Sequence, residues 1–479
     1  MATFQLSVAY NWDPRLLEEV VKNKYPVKDF FASAQHTAVG GGRPSSILPE
    51  TNEKMMKQQI KKMHDSGIEF YYTINAPCMA GQEFVRETHE KMLKEFEWIQ
   101  LIGADGVVLA IPYLIELVKE QFPRLKIRVS TVAKVNTVNK AKYFEVLGAS
   151  SITPDVMINR NFKVLEKMAK GTTCAIDLIV TDGCLFECPF RLYHYTLTGH
   201  ASQSYSNREA YIDYPILRCN IEKFTHPAEA MKCRWVRPED LRHYEAVGIH
   251  QFKIGGRRLT TDMILRSVRA YSEQTYKGNL TDIIEGFSFE YGGIKEDPNK
   301  KMGMVNAGVN NPENKAILVI DNTKLDGFID FFKKQDCAAN CNECTYCENW
   351  AKKAITVDKE GVEIFLSSVH AFHDDLITSR EFGLGKTESR EGMKKKKDGI
   401  DWDPLARKNF DEIISRSPPA TRGMARMVIG SLAEKNAKKR GARKVENDDV
   451  SMAFLTGVPG PFQKGLKRDL KELGMKYEL

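Results

Sequence analysis

The chain has 479 residues, 42% hydrophobic and 28% charged, a balance that suits a large folded core with one or two smaller domains and excludes global disorder. Its formal charge of +7, from 70 basic and 63 acidic side chains, is too small an excess to mark a nucleic-acid binder by itself. No run approaches the roughly 20 apolar residues of a membrane helix. The opening MATFQLSVAY has neither a basic nor a long apolar region, so a cytoplasmic protein with no secretory signal is expected.

Short β-rich runs recur through the first 257 residues: Phe4 to Ala9, Asp29 to Ala34, Glu69 to Ile74, Gly106 to Ile111, Lys126 to Thr131, a weak one near Ile152, Ala175 to Val180, and His250 to Ile254. Between them, stretches such as Pro14 to Lys24, Asn52 to Ser66, Glu83 to Ile102 and Asn139 to Leu147 repeat apolar residues every three to four positions. Strands alternating with helices in this number predict an α/β fold, a TIM-like (β/α)8 barrel, with a doubly wound open sheet as the alternative. The expected organisation is a barrel with a cluster-binding insertion over residues 1–275, a connecting α/β segment over 276–335, a cysteine-rich segment over 336–356, a linker over 357–400, and a small all-α domain over 401–479.

In such a barrel the working residues follow the strands on the C-terminal face. Those positions hold Asn11, Trp12 and Asp13, then His36 and the loop Gly40 to Ser46, then Asn75 and Cys78, Pro112 and Tyr113, Lys134 and Asn136, Asn159 and Arg160, Asp182, Cys184 and Cys188, and finally Gly255, Gly256 and Arg257. The loop around Gly41, Gly42 and Arg43 could cradle an anion, since glycines let backbone N–H groups converge and Arg43 adds a fixed charge. It could equally be a tight turn, because it lacks the GxxxxGK[ST] spacing. Lys253 alternates with Phe252 and Ile254 and so points the other way, toward the barrel interior, where a lysine needs a partner or a role. Asn75, Lys134, Arg160, Lys253 and Arg257 are the candidate catalytic residues.

Eight of the ten cysteines fall in two groups. Cys184 and Cys188 follow the seventh strand, with Cys219 and Cys233 in the insertion after it; Cys337, Cys341, Cys344 and Cys347 lie within a run of eleven residues. In a reducing cytosol such spacing reads as metal ligation rather than disulfides. A [4Fe–4S] cluster on each group is the first reading, and zinc, which takes four thiolates tetrahedrally, is the alternative for either site. Cys78 or Cys174 could replace one barrel ligand, though an isolated buried thiol is the plainer reading of both. The radical S-adenosylmethionine pattern CxxxCxxC is absent from the barrel, where Arg191 takes the third position after Cys188. The later run has that spacing but carries Glu343 before Cys344 and adds Cys347, so it reads as a ferredoxin-like cluster standing outside the barrel, for structure or electron relay.

The segment Arg234-Trp235-Val236-Arg237-Pro238-Glu239-Asp240-Leu241, with Tyr244 to Ile249, Phe252-Lys253-Ile254-Gly255-Gly256-Arg257 and Val268-Arg269-Ala270-Tyr271, resembles the collagenase-like peptidase family, peptidase family U-thirty-two. The resemblance spans roughly residues 1 to 280, departing at Gly256, where an acidic residue is common, and in the short Cys184 to Cys188 spacing. It implies a barrel holding an iron–sulfur cluster on Cys184, Cys188, Cys219 and Cys233, with Arg257 and Arg160 available for carboxylates, and oxygen-independent hydroxylation of ubiquinone precursors or RNA bases with prephenate as oxygen donor. Peptide hydrolysis is the family's nominal activity. His89-Glu90 lacks the second histidine of HExxH, however, and there is no GxSxG.

Trp402-Asp403-Pro404, Pro418 to Arg426, a helix through Lys438, and Val445 to Phe454 resemble the small C-terminal domain of the light-independent protochlorophyllide reductase B subunit. That resemblance implies a cap over a bulky planar substrate or a docking surface for a redox partner. The basic runs Lys394 to Lys397 and Lys438, Lys439, Arg440, Arg443 and Lys444 read as solvated faces, and His370 and His373 with Asp374 and Asp375 as a solvated helix end. The leading expectation is an iron–sulfur oxidoreductase, hydroxylase-like, acting on an organic small-molecule substrate, with an aromatic or tetrapyrrole-like one among the expected classes, and with a redox partner such as a ferredoxin. An electron-transfer or scaffold subunit of a larger homo- or hetero-oligomer and a peptidase are the alternatives. A membrane role is not expected and nucleic acid is not favoured.

Overall fold

Eight parallel strands pair in chain order and close, the last on the first. In this computed structural model the described residues are 4–35, 37–45, 48–204, 214–257, 259–287, 316–335, 337, 341, 343–363, 365–367, 377, 400–416, 422–458 and 460–477. The elements run β1 (Gln5–Ala9), α1 (Pro14–Lys22), β2 (Val27–Ala32), α2 (Glu53–Asp65), β3 (Glu69–Thr73), α3 (Arg86–Leu101), β4 (Gly106–Leu109), α4 (Pro112–Gln121), β5 (Lys126–Val129), α5 (Val138–Leu147), β6 (Ser151–Ile152), α6 (Phe162–Gly171) and β7 (Ala175–Ile179). An insertion then carries α7 (Arg191–His200), α8 (Tyr214–Thr225), α9 (Pro227–Lys232) and α10 (Leu241–Glu245) before β8 (Gln251–Ile254) and α11 (Thr261–Glu273). The fold is therefore the TIM-like barrel expected from the alternation, and the open sheet is excluded because β1 pairs with β8 through Ser7 and Lys253.

Local chemistry explains the helix starts. Asp13, Asn52, Thr137, Asn161 and Thr260 each accept an N–H of the first turn of α1, α2, α5, α6 and α11 through their side chains. Proline at the first helical position starts α1, α4 and α9, where a missing N–H costs nothing.

Barrel strands are buried on both faces and should be continuous apolar runs. Four strands break that rule with a buried charge, Asp29 on β2, Arg128 on β5, Asp177 on β7 and Lys253 on β8, and the charges meet. Arg128 of β5 donates to both oxygens of Asp29 on β2 at 2.9 and 2.8 Å, and its Nε lies 3.3 Å from Asp177 on β7. It also donates to Ser7 at 2.9 Å and Ser151 at 3.2 Å, and stacks 4.0 Å over the Tyr71 ring. Burial pushes the Asp29 carboxyl up, but Arg128 outweighs it and holds the group below the ordinary carboxylate range. Lys253 sits beside this layer, 4.1 Å over the Phe31 ring, with Asp177 and Asp29 in its field. Two anions thus balance two cations inside the barrel.

Two compact units divide the chain: residues 1–306 with 316–358, and 307–315 with 359–479. Of the segment after the barrel, β9 (Leu318–Ile320), α12 (Tyr346–Ala354) and β10 (Ile355–Val357) belong to the first unit. Arg237 fastens it there, donating to Asn322 Oδ1 at 2.6 Å and to the Leu325 carbonyl at 2.8 Å. The second unit holds β11 (Asp401–Trp402), α13 (Pro404–Arg416), α14 (Arg422–Lys439), β12 (Lys444–Val445), α15 (Asn447–Gly457) and α16 (Gly460–Glu472) around a core that includes Phe410, Ile413, Ile429, Phe454 and Leu470. Among the described residues no helix is long and apolar enough to cross a membrane. Lys394 to Lys397, His370, His373, Asp374 and Asp375 lie outside the described residues.

Candidate functional site at the barrel mouth

The loops after the strands converge as a barrel requires, but several groups that looked free in sequence are engaged. Gly41 N–H donates to Ser202 Oγ at 2.7 Å and Gly42 N–H to Asn75 Oδ1 at 2.8 Å. The expected anion cradle at Gly41, Gly42 and Arg43 therefore has its donors occupied, and the tight-turn reading prevails. Gly40 is required at φ 85°, since a Cβ there would lie 2.6 Å from Gln203 Cγ and 2.9 Å from the Gly199 carbonyl. Asn75 is spent in the same frame, its Nδ2 donating to Ser130 Oγ at 2.8 Å. Glu95 of α3 clamps the loop by accepting from Ala38 and Val39, and burial pushes its carboxyl up to about 7. His36 and Ser46 lie outside the described residues.

Arg257 follows β8 at the C-terminal end of the barrel. It is buried at the mouth, its Nη1 donates to Ser33 Oγ at 2.7 Å, and no carboxylate among the described residues is in ion-pair range. Burial, then Arg43, lowers its guanidinium to about 9, still charged at neutral pH. Arg43 pairs with Glu285 at 3.0 Å, and Glu285 lies over Gly255, where a Cβ would collide with it. Arg43 and Arg257 thus lie in each other's field, with Glu285 paired to Arg43 and acting on Arg257 only at longer range. Lys253 lies deeper, and burial lowers its ammonium to about 8 against the opposing pull of Asp177. Lys134 ends the turn after β5 at φ 54° and is only half-buried; its carbonyl accepts from Lys140 Nζ at 3.1 Å.

Arg160 is not at the mouth in the role expected of it. It is buried with its guanidinium 4.6 to 4.9 Å from the rings of Trp235, Phe328 and Phe332, donating to the Met231 and Trp235 carbonyls at 2.6 and 3.3 Å. Aromatic faces and backbone oxygens cover it, so it offers no fork to a substrate carboxylate.

The insertion gathers the barrel thiols. Cys184 N–H donates to Asp182 Oδ1 at 2.7 Å, and Cys233 at the end of α9 donates its thiol to the Gly183 carbonyl at 3.2 Å. Cys219 on α8 is near enough to Cys184, Cys188 and Cys233 to contribute to the upward push on each of their thiols. Burial pushes the Cys184 and Cys188 thiols up and raises Cys233 to about 12. Lys223, one turn on from Cys219 and in hydrogen-bond reach of it, is buried with its ammonium on the Gly286 and Gly183 carbonyls and 4.4 Å over Phe287. Burial lowers Lys223, yet Cys219 and Cys233 outweigh it and raise the group. Cys174 sits at the other end of β7, roughly 17 Å away for five residues at about 3.3 Å each, with its thiol on the Ala149 carbonyl. Cys78 accepts from Ala80 N–H at 3.2 Å on the β3 side. Neither joins the group.

The second group follows the barrel in the chain and belongs to the same compact unit. Cys337, Cys341, Cys344 and Cys347 belong to the first unit, and α12, which begins Tyr346-Cys347, packs on α9 directly before Cys233. Among the described residues no three Cys, His, Asp or Glu side chains are drawn together as a site for a single metal ion. Lys223 lies in hydrogen-bond reach of Cys219 and Arg234 of Cys337, and neither cation has a carboxylate partner among the described residues. Sequence reasoning missed Lys223, Arg234, Glu285 and the Asp29, Arg128, Asp177 layer. Only the layer left a signal, a charge in the middle of each buried strand.

Residues 48–185 match the family described as Peptidase family U32. A protein of Methanocaldococcus jannaschii described as an uncharacterized protease is 28% identical over 319 residues, covering 67% of this chain and 86% of the relative. The structure of the U32 peptidase Mk0906 is similar at a TM-score of 0.40 and 18% identity, over 53% of this chain and 92% of that one. The YdjI aldolase of Escherichia coli K12 is similar at a TM-score of 0.31 and 9% identity, over 57% of this chain and 80% of that one.

Proposed function

We propose that the chain is an oxidoreductase whose site is the C-terminal mouth of the barrel, acting on an organic anion with a [4Fe–4S] centre held by Cys184, Cys188, Cys219 and Cys233. The observation that carries this reading is Lys223, a buried ammonium placed among those thiols with no carboxylate partner among the described residues. A buried charge requires a counter-charge, and four thiolates around a cluster supply one. When bound, such a centre supplies one-electron chemistry. Lys223 offsets its negative charge, Arg257 takes a substrate carboxylate bidentately, and the Gly40 turn packed on Ser202 and Gln203 closes the mouth on one side. Hydroxylation without dioxygen is the finer form of this reading, with docking of a redox partner as the role of the C-terminal unit.

Peptide hydrolysis is the second reading, favoured by the name of the matched family and of the M. jannaschii relative. One preparation tests both. Anaerobically purified full-length chain should hold iron and acid-labile sulfide that Cys184→Ser with Cys188→Ser reduces by about four irons per chain. Dicarboxylate ligands should raise the melting temperature of the wild type and not of Arg257→Gln. Cleavage of a peptide library by iron-free protein, undiminished in the double cysteine variant, would replace the redox reading with the hydrolytic one.

A further inference from the structure

Two guanidinium groups, Arg160 and Arg234, act on each other at close range, and among the described residues neither has an acid. Arg160 and Arg234 are both buried, and the Nε of each has no hydrogen-bond acceptor. Arg234 stacks 3.6 Å from the Phe186 ring and is in hydrogen-bond reach of the Cys337 thiol. Arg160 lies in the aromatic cage of Trp235, Phe328 and Phe332, within the field of Cys347 on one side and Cys233 on the other. Two adjacent like charges out of water repel each other and each loses its hydration. A neutral cluster of thiols gives them nothing in return. The folded arrangement therefore calls for an anion at the cysteines, and among the described residues no carboxylate is in ion-pair range of either arginine.

The surroundings hold that place rigidly. Tyr346 stacks on Phe331 at 4.2 Å and donates to the Phe328 carbonyl at 2.9 Å, which fixes the first turn of α12 and with it Cys347. Lys232 on α9 carries a third positive charge into the field of Cys341 and Cys347, although Glu229 pairs with it at 2.7 Å. Lys232 is the residue before Cys233, so one short helix borders both thiol groups.

We infer that Cys337, Cys341, Cys344 and Cys347 form a second, separate metal–thiolate centre, with Arg160 and Arg234 as its counter-cations, set beside the barrel thiols across α9. Four thiolates on an iron–sulfur cluster or on zinc carry net negative charge in either case, and two arginines offset it. Loading draws the thiols together around the centre, so metal affinity is coupled to the local packing that holds Cys347. Arg160 and Arg234 are positioning residues here: they act on the centre through its charge and touch no substrate. This site uses none of the mouth residues invoked above, and either assignment can fail alone.

The full-length chain tests it. Iron, acid-labile sulfide and zinc are measured per chain in the wild type, in Cys341→Ser with Cys344→Ser, and in Cys184→Ser with Cys188→Ser. The expected result is that the segment variant loses one centre and keeps the barrel's, with sulfide separating iron–sulfur from zinc. Chelator competition for the same metal should show roughly 10- to 100-fold weaker retention at the segment site in Arg234→Gln, with restoration in Arg234→Lys. Arg160→Lys keeps the charge should Arg160→Gln fail to fold, and should retain the metal. Unchanged metal content in a folded Cys341→Ser with Cys344→Ser variant would overturn the second centre. Equal retention by Arg234→Gln and wild type would overturn the counter-cation role.

Discussion

Replacing Arg128 by Met removes the centre of the buried charge layer and keeps most of the side-chain volume. The guanidinium makes hydrogen bonds of 2.9 and 2.8 Å to Asp29, 2.9 Å to Ser7 and 3.2 Å to Ser151, and lies 3.3 Å from Asp177. Its loss leaves two carboxylates facing the single ammonium of Lys253, an uncompensated charge out of reach of water. Removing one partner of a buried pair costs about 3–5 kcal/mol, or roughly two to three and a half orders of magnitude in opening equilibrium. Because the chain has two compact units, global unfolding is a poor gauge, so amide exchange read on peptides of β2, β5 and β7 is the assay. Asp29→Asn in the Arg128→Met background restores neutrality, with Asp177 opposite Lys253, and should cost less than Asp29→Asn alone by about 0.5–3 kcal/mol. Protection within about 1 kcal/mol of wild type in Arg128→Met, or strict additivity of the two substitutions, would refute the charge-balance account.

Gly40→Ala should lower stability by about 1–2 kcal/mol for the left-handed backbone alone, and by more because its Cβ meets the Gly199 carbonyl at 2.9 Å, whereas at Gly42 the nearest atoms are Asn75's at 3.4 Å. Thermal melts of the two variants check this; a Gly42→Ala chain that melts normally yet loses anion binding would reinstate the loop as a cradle. Burial holds Lys253 near 8 in the folded chain against 10.5 when unfolded. The unfolded state therefore binds more protons between those values, and stability rises with pH there. Relative to Lys253→Met, the wild type should gain stability from pH 8 to about 10 in denaturant titrations, and a constant or shrinking difference would show that the ammonium is not destabilised by burial.

What the sequence determined by itself was local and periodic. Period-two and period-3.6 patterns placed all eight strands to within about two residues, and the loop positions and cysteine spacings marked where chemistry would gather. Lys253 was legible as an inward residue because alternation along β8 settles its side. Tertiary structure alone decided who occupies whom. Gly41, Gly42 and Asn75 looked available until Ser202, from the insertion, and Ser130, from another loop, took part in their bonds. Arg160 looked like a carboxylate fork until Trp235, Phe328 and Phe332 enclosed it. Arg128 meets Asp29 across 99 residues, and α12 packs on α9 from a comparable distance along the chain. Hydrogen-bond saturation, charge balance and burial depend on such distant partners, which no local pattern in the chain encodes.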